Sequence, residues 1–371
     1  MDARYAETVE FLRARIPVPP VVGVILGSGL GDFAAAVQDR VEIPYAQIPG
    51  FPSSAVVGHA GTLVAGSLGG VPLVELAWVA GLLGFGLLAG LLPLHPWLPT
   101  AAAEAPAPVV ALLVGVIPRL GLVGMVRVLA GVMPEGTRWA SAATVGLGAL
   151  SALHAGAMLL SERDLSRVAA FVAMAQSGLA VVGLGSITPQ GLVGVGAIVL
   201  GGGLAAVALA LFAGAVEERT TSRDADQLGG LFGATPTLAL VVAVAFAGAM
   251  GAPGTAEFWG ELLALVGAIG AHPALAALVL LALVLKGAAV FRVAGRVLFG
   301  DAPDEWRSMP SLEPFNGKLP DLRTHEGWAL APLAAATVLL GVWPAPMLAV
   351  LAGAVREAVA RANLGPLQIG F

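Results

Sequence analysis

From about residue 72 to the C-terminus, the chain is a succession of apolar stretches separated by brief polar links. A bilayer crossing needs about 20 mostly apolar residues. Such stretches recur near 72–92, 107–132, 139–160, 167–186, 191–216, 231–250, 258–271, 273–298 and 327–354. The seventh is short, which suits a half-span or a re-entrant piece. A helical bundle in water is excluded by supply. Only 12% of residues are charged, against about 25% in soluble domains, so too few polar side chains exist to cover an outer surface. Gly and Ala dominate the stretches, as expected where helices must approach closely with no hydrophobic effect between them. The pattern predicts an all-α polytopic membrane bundle of about eight or nine spans over residues 73–371.

Residues 1–72 have a different texture. Glu7, Glu10, Arg13 and Arg15 surround Val9, Phe11 and Leu12, a short amphipathic helix ending before Pro17. Val21–Leu26 is an apolar run leading into Gly27-Ser28-Gly29-Leu30-Gly31, read as a strand, a tight turn and a helix start. Val41–Tyr45 and Thr62–Leu68 are further strand candidates. Met1–Arg15 lacks the apolar core of a signal peptide.

With no cysteine, the chain holds no disulfide, thiolate zinc site or cysteine-ligated iron–sulfur cluster, and no metal site is expected. A net charge of −5 gives no footing for nucleic acid.

A charge inside a bilayer costs roughly 2.5–3.5 kcal/mol on insertion scales, so those that remain tend to be functional. The candidates are His95, Arg119, His154, Glu261 and Lys286. Each has a plainer reading beside a proton-carrying one. His95 lies among prolines at a span end, and His154 suits a hydrogen-bonded interhelical histidine. Lys286 could snorkel along its stem to an interface. Glu257 and Glu261 are four apart on one helix face near a span start, where the helix dipole favours acids. Arg119 and Arg127, eight apart, are expected to share a face turned to the bundle interior.

Several motifs in order carry a resemblance. They are Leu91-Leu92-Pro93-Leu94-His95-Pro96-Trp97-Leu98-Pro99 with Glu104-Ala105-Pro106, then Asp164-Leu165-Ser166-Arg167 and Pro189-Gln190-Gly191-Leu192. Glu218-Arg219-Thr220 comes next, and then Gly251-Ala252-Pro253-Gly254 with Gly260-Glu261. Together they resemble the antiporter-like subunit M of NADH:quinone oxidoreductase (respiratory complex I), a relative of multisubunit sodium/proton antiporters. The resemblance implies a proton-translocating subunit in a bacterial inner (plasma) membrane, with other membrane subunits of complex I and the lipid bilayer as partners. It implies no redox centre here: NADH, FMN, iron–sulfur clusters and quinone would belong to partner subunits.

The chain departs from that family where protons would pass. Lysines are expected where Leu88, Arg119 and Ser166 stand, and histidines where Gln176 and Gly202 stand. Arginine holds its proton almost regardless of environment, so Arg119 suits a fixed counter-charge better than a relay. By the same resemblance the family's earlier spans have no counterpart, which implies either a truncated subunit or a degenerate one retained for packing.

In the N-terminal segment, Val24–Gly31, Ile48-Pro49-Gly50-Phe51-Pro52 and Val57-Gly58-His59-Ala60-Gly61-Thr62 resemble the opening of trimeric purine nucleoside phosphorylases. By that resemblance Ser28 and His59 would bind phosphate within a short α/β fragment. Complete phosphorylase activity is not expected, because the base-binding residues have no counterparts. Three readings are open: a complex-I-type membrane subunit, a phosphorylase fragment, and a fusion or assembly artefact that has no function as a unit.

Overall fold

The computed structural model describes residues 6–16, 37–49, 61–68, 73–301, 303 and 319–361. The chain divides into two units, Met1–Ala80 and Gly81–Phe371.

In the N-terminal unit, helix α1 (Ala6–Arg15) precedes strand β1 (Val37–Pro44), which pairs antiparallel with β2 (Thr62–Leu68). The expected strand over 62–68 is present, and β1 begins at Val37 rather than Val41. Ile43 pairs opposite Leu63, and Ile16, Ile43 and Ile48 form the buried cluster. The phosphorylase-like α/β fragment is not what the described residues display. Before residue 73 they hold helix α1, a 3-10 turn at Tyr45–Gln47 and a two-stranded sheet, and so small a core offsets little chain entropy. Ser28, His59 and the expected strand over 21–26 lie outside the described residues.

From residue 73 onward the chain is helical: α2 (Leu73–Ala89), α3 (Trp97–Glu104), α4 (Ala107–Ala130), α5 (Ser141–Ser161), α6 (Leu165–Ser186), α7 (Pro189–Thr220), α8 (Pro236–Met250), α9 (Ala256–Ala271), α10 (Pro273–Leu298), α11 (Thr324–Val342) and α12 (Ala345–Arg361). Among the described residues, six of these (α4, α5, α6, α7, α10 and α11) are long and apolar enough to cross a membrane. The sequence suggested eight or nine. The stretches at 72–92, 231–250 and 258–271 give shorter helices, and the last predicted span is two helices broken at Trp343-Pro344. Proline lacks the N–H a helix needs and disfavours helical geometry in the residue before it.

Helix α6 is the enclosed centre of this unit. Asp164 caps it, accepting the N–H groups of Ser166 and Arg167 at 2.8 and 3.0 Å, and Ile187 ends it in a left-handed conformation. Helix α5 packs on α6 backbone to backbone, since a Cβ at Gly148 would lie 2.6 Å from the Gly178 carbonyl. Glycine supplies what lipid cannot, a close van der Waals seam. Outside this core, Leu112, Leu120, Leu240, Phe291, Leu339 and Val350 are exposed, as a lipid-facing perimeter requires.

Two spans contain a π-helical turn, Met125–Ala130 in α4 and Ile198–Gly202 in α7. Such a turn takes an extra residue and rotates the rest of the helix about its axis. Arg119, before the first turn, is buried, whereas Arg127 within it is exposed. The expected shared inward face of these two arginines is therefore corrected: a uniform helical period does not hold across the turn.

Candidate charge row within the helical unit

The site begins at a break. Gly251 and Gly254 take φ values of +75° and +90°, open to glycine at no steric cost, and they separate α8 from α9. The Gly341 backbone of α11 packs on Gly254 and Thr255, and Trp259 Nε1 donates to the Gly341 carbonyl at 2.8 Å. Helix α9 thus starts inside protein, where its free N–H groups and dipole favour negative charge. Glu257 and Glu261 stand one turn apart on this buried start, 1% and 4% exposed.

Lys286 of α10 is wholly buried and donates from Nζ to Glu261 Oε1. The snorkelling reading of this lysine is therefore corrected, because an acid meets it inside the bundle and its stem never needs to reach water. Gly156 of α5 lets two helices close here, since a Cβ there would sit 3.1 Å from the Lys286 amide nitrogen. Glu257 Oε1 accepts the Ala205 N–H of α7 at 3.3 Å.

On the far side of α7, Arg119 Nη2 donates to Gln176 Oε1 at 2.7 Å, both side chains being buried. Gly202 makes room for that contact, as a Cβ there would lie 2.9 Å from Gln176 Oε1 and 3.1 Å from Arg119 Nη2. The two positions where histidines were expected, Gln176 and Gly202, have become the cradle of the arginine. The sequence pointed to Gln176 only as a departure from the family pattern and to Glu257 only as a dipole-favoured acid beside Glu261. The available signal was the four-residue spacing of Glu257 from Glu261.

His95 lies in the link between α2 and α3, and its Nε2 sits 3.1 Å from His154 Nε2 on α5. The rings meet edge-on with centroids 4.6 Å apart. Trp97 Nε1 donates to the Leu87 carbonyl, and the Leu92 N–H to Ser151 Oγ at 3.1 Å, which fixes this link. Three further residues fall outside the row. Ser166 accepts from Arg223 Nη1 at 3.2 Å, His272 Nε2 meets Ser141 Oγ at 2.8 Å, and Leu88 is exposed. Glu218, His325 and Glu326 bring ligand atoms within 4.8 Å of one another. However, Glu326 and Glu218 are already engaged by Arg219 and Arg323.

Buried acids and bases set side by side in a membrane unit, next to a broken helix, suit the stepwise movement of charge across a bilayer. Residues 67–286, more than half of the chain, match the sequence model of the family described as NADH:quinone oxidoreductase/Mrp antiporter, transmembrane. The chain belongs to this family. Among its relatives, NADH-quinone oxidoreductase subunit M of Mycobacterium tuberculosis is 29% identical over 80% of this chain and 52% of its own length. That of Rickettsia bellii is 26% identical over 74% and 54%, and NADH-ubiquinone oxidoreductase chain 4 of Marchantia polymorpha is 28% identical over 72% and 52%. The chain thus spans about half the length of the curated relatives it matches.

A chain of respiratory complex I from Thermus thermophilus superposes with a TM-score of 0.68 at 27% identity, covering 79% of this chain and 60% of that one. A chain of the Mrp complex from Dietzia gives 0.66 over 80% and 65%, and at 21% identity it shares the fold alone. The antiporter match starts at residue 67. It also covers Arg119, Gln176, Glu257, Glu261 and Lys286, so the whole row belongs to the family's region.

Proposed function

We propose that this chain is an antiporter-like membrane subunit of a proton-translocating NADH:quinone oxidoreductase, in a bacterial inner (plasma) membrane. The observation that carries the reading is the Lys286–Glu261 ion pair, fully enclosed and set beside a break between two helices. Lysine and glutamate can both change protonation state, and each alters the other's proton affinity when it does. A proton arriving in the row weakens the hold of its carboxylates on Lys286, which can then pass its own proton on. Arg119, which keeps its charge, supplies a constant positive field at the other end of the row. NADH, FMN, iron–sulfur clusters and quinone would be held by partner subunits, and other membrane subunits would flank this one in the bilayer.

A second reading rests on the replaced positions. With Ser166 turned to Arg223, and with Gln176 and Gly202 cradling Arg119, the subunit would serve packing alone. Measuring NADH-driven acidification of vesicles carrying the assembled complex separates the two. Under the translocation reading, Lys286→Met lowers the protons moved per electron while NADH oxidation continues. Unchanged pumping in both Lys286→Met and Glu261→Gln leaves only the packing reading.

A further inference from the structure

We propose that Glu257, one turn before the ion-paired Glu261, is the proton-exchanging carboxylate of the row and the counter-charge of Arg119. The inference rests on the translocation reading for its purpose, but not for its chemistry. Its ground is an inequality among four buried groups. Glu261 is committed, because Lys286 donates to it directly. Arg119 is not, because its one partner among the described residues is the neutral Gln176, while its Nε and Nη1 are buried with no acceptor. Gln176 Nε2 likewise has no acceptor, and Glu257 Oε2 has no donor. Unpaired buried donors and an unpaired buried acceptor each cost about 1–3 kcal/mol, so such groups call for an explanation.

They border a single turn of α7. A Cβ at Gly202 would meet Arg119 and Gln176, and one at Gly203 would lie 3.7 Å from Arg119 Nε. Two residues on, the Ala205 N–H meets Glu257 Oε1. On its other flank Glu257 Oε2 rests on Gly248 of α8, where a Cβ would come within 3.0 Å. Glu257 therefore stands between the fixed cation and the lysine–glutamate pair, and it acts electrostatically on Arg119 and is acted on by Glu261 and Lys286.

Among the described residues of the helices packed against α9, no other ionisable side chain competes for the role. Helix α8 and residues 189–216 of α7 carry none. The charged residues of α6, α10 and α11 besides Lys286 are Arg167, Arg292, Arg296, His325 and Glu326, and Glu326 is bound to Arg219. The step balances simply. A proton adds to Oε2, the oxygen without a donor, while Oε1 keeps the Ala205 N–H, and the proton leaves from the same atom. When Glu257 is ionised the row is neutral, two cations against two carboxylates. When it is protonated, Arg119 is uncompensated and draws the next negative charge toward it.

Infrared difference spectroscopy of the full chain in lipid, recorded between neutral and acid pH, tests this without any transport assay. The expected result is a carbonyl band of a newly protonated carboxylic acid that is lost in Glu257→Gln and kept in Glu261→Gln. If Glu257→Gln fails to insert, Glu257→Asp decides, since an aspartate in place of the responsible group must move the band. Survival of the band unchanged in either Glu257 variant, or its loss in Glu261→Gln alone, overturns the assignment. If the band follows Glu257 and vesicles carrying the assembled complex show no NADH-driven pumping, the translocation reading fails and this one stands.

Discussion

Two buried ion pairs sit in the same bundle and differ in almost every respect that matters. Arg219 and Glu326 are saturated. Nη1 and Nη2 each donate to one carboxylate oxygen, at 2.6 and 2.7 Å, Nε donates to the Pro320 carbonyl at 2.9 Å, and Nη2 reaches the Asp321 carbonyl. Glu326 also accepts the Arg323 N–H at 2.8 Å, at the start of α11. Lys286 and Glu261 share one contact, and their neighbours Glu257, Arg119 and Gln176 carry buried polar atoms without partners. Every donor and acceptor placed means a fixed geometry, and a planar guanidinium that keeps its charge suits that. Few bonds and two titratable partners leave a geometry that can change. The first pair reads as a staple at the end of the spans, the second as a moving part.

The contrast is broken most severely at the staple. Glu326→Gln leaves a buried arginine that cannot shed its charge, and loss of one partner of such a pair costs about 3–5 kcal/mol. Thermal unfolding in detergent should show that loss, with pumping reduced only in proportion to folded protein. A smaller loss is expected at the moving part. Lys286→Met leaves Glu261, which can take up a proton, so the stability cost falls nearer about 1–3 kcal/mol while the protons moved per electron fall. The double variant Lys286→Met with Glu261→Leu should regain stability, because an apolar replacement of a buried pair is often neutral or better, and its protons moved per electron should stay low. Recovered pumping in the double variant would make this pair a second staple.

The sequence made the spans readable because hydrophobic length is a strong signal, and it placed Glu261 and Lys286 among the candidates because a charge in an apolar run stands out. Their pairing was not readable, since they lie 25 residues apart on separate helices. Gln176 and Gly202 were noticed as departures from a pattern, yet their joint role as a cradle for Arg119 depends on a contact between helices. Arg127 failed for a definable reason. Periodicity assumes a uniform helix, and the π turn over Met125–Ala130 shifts the face by most of a residue. The break at Trp343-Pro344 was foreshadowed by its proline, but length alone argued for one long span.

At the rim of the bundle the expected effects shrink. Asp321 accepts the N–H groups of Thr237 and Leu238 at 3.1 and 2.9 Å, capping α8 from outside it. Burial pushes its carboxyl up, but the N–H groups of Leu238, Leu322 and Thr237 together hold it below its usual value. Asp321→Ala should cost about 0.5–2 kcal/mol, as for other lost caps. The sign is set by the lowered affinity. The unfolded chain binds this proton more readily, so the contribution is present above the unfolded value of about 3.9 and fades as pH falls through the lower folded value. Melting curves of the variant and the parent should therefore converge in strong acid.

The smallest effect tests whether the histidine contact belongs with the staple or with the moving part. His95 lies outside the spans, and burial first, then the charge of His154, holds its imidazole below the usual histidine value. The unfolded chain then carries the extra proton, so stability declines as pH drops below about 6.5. His154→Ala removes one hydrogen bond, worth about 0.5–1.5 kcal/mol, and also removes the neighbour that repels a protonated His95. The variant should be slightly less stable at neutral pH and lose less on acidification, with the two melting curves drawing together near pH 5. A pH dependence identical to the parent's would place the pair among fixed contacts, beside Arg219 and Glu326. A flattened dependence with altered pumping would join it to the row around Lys286.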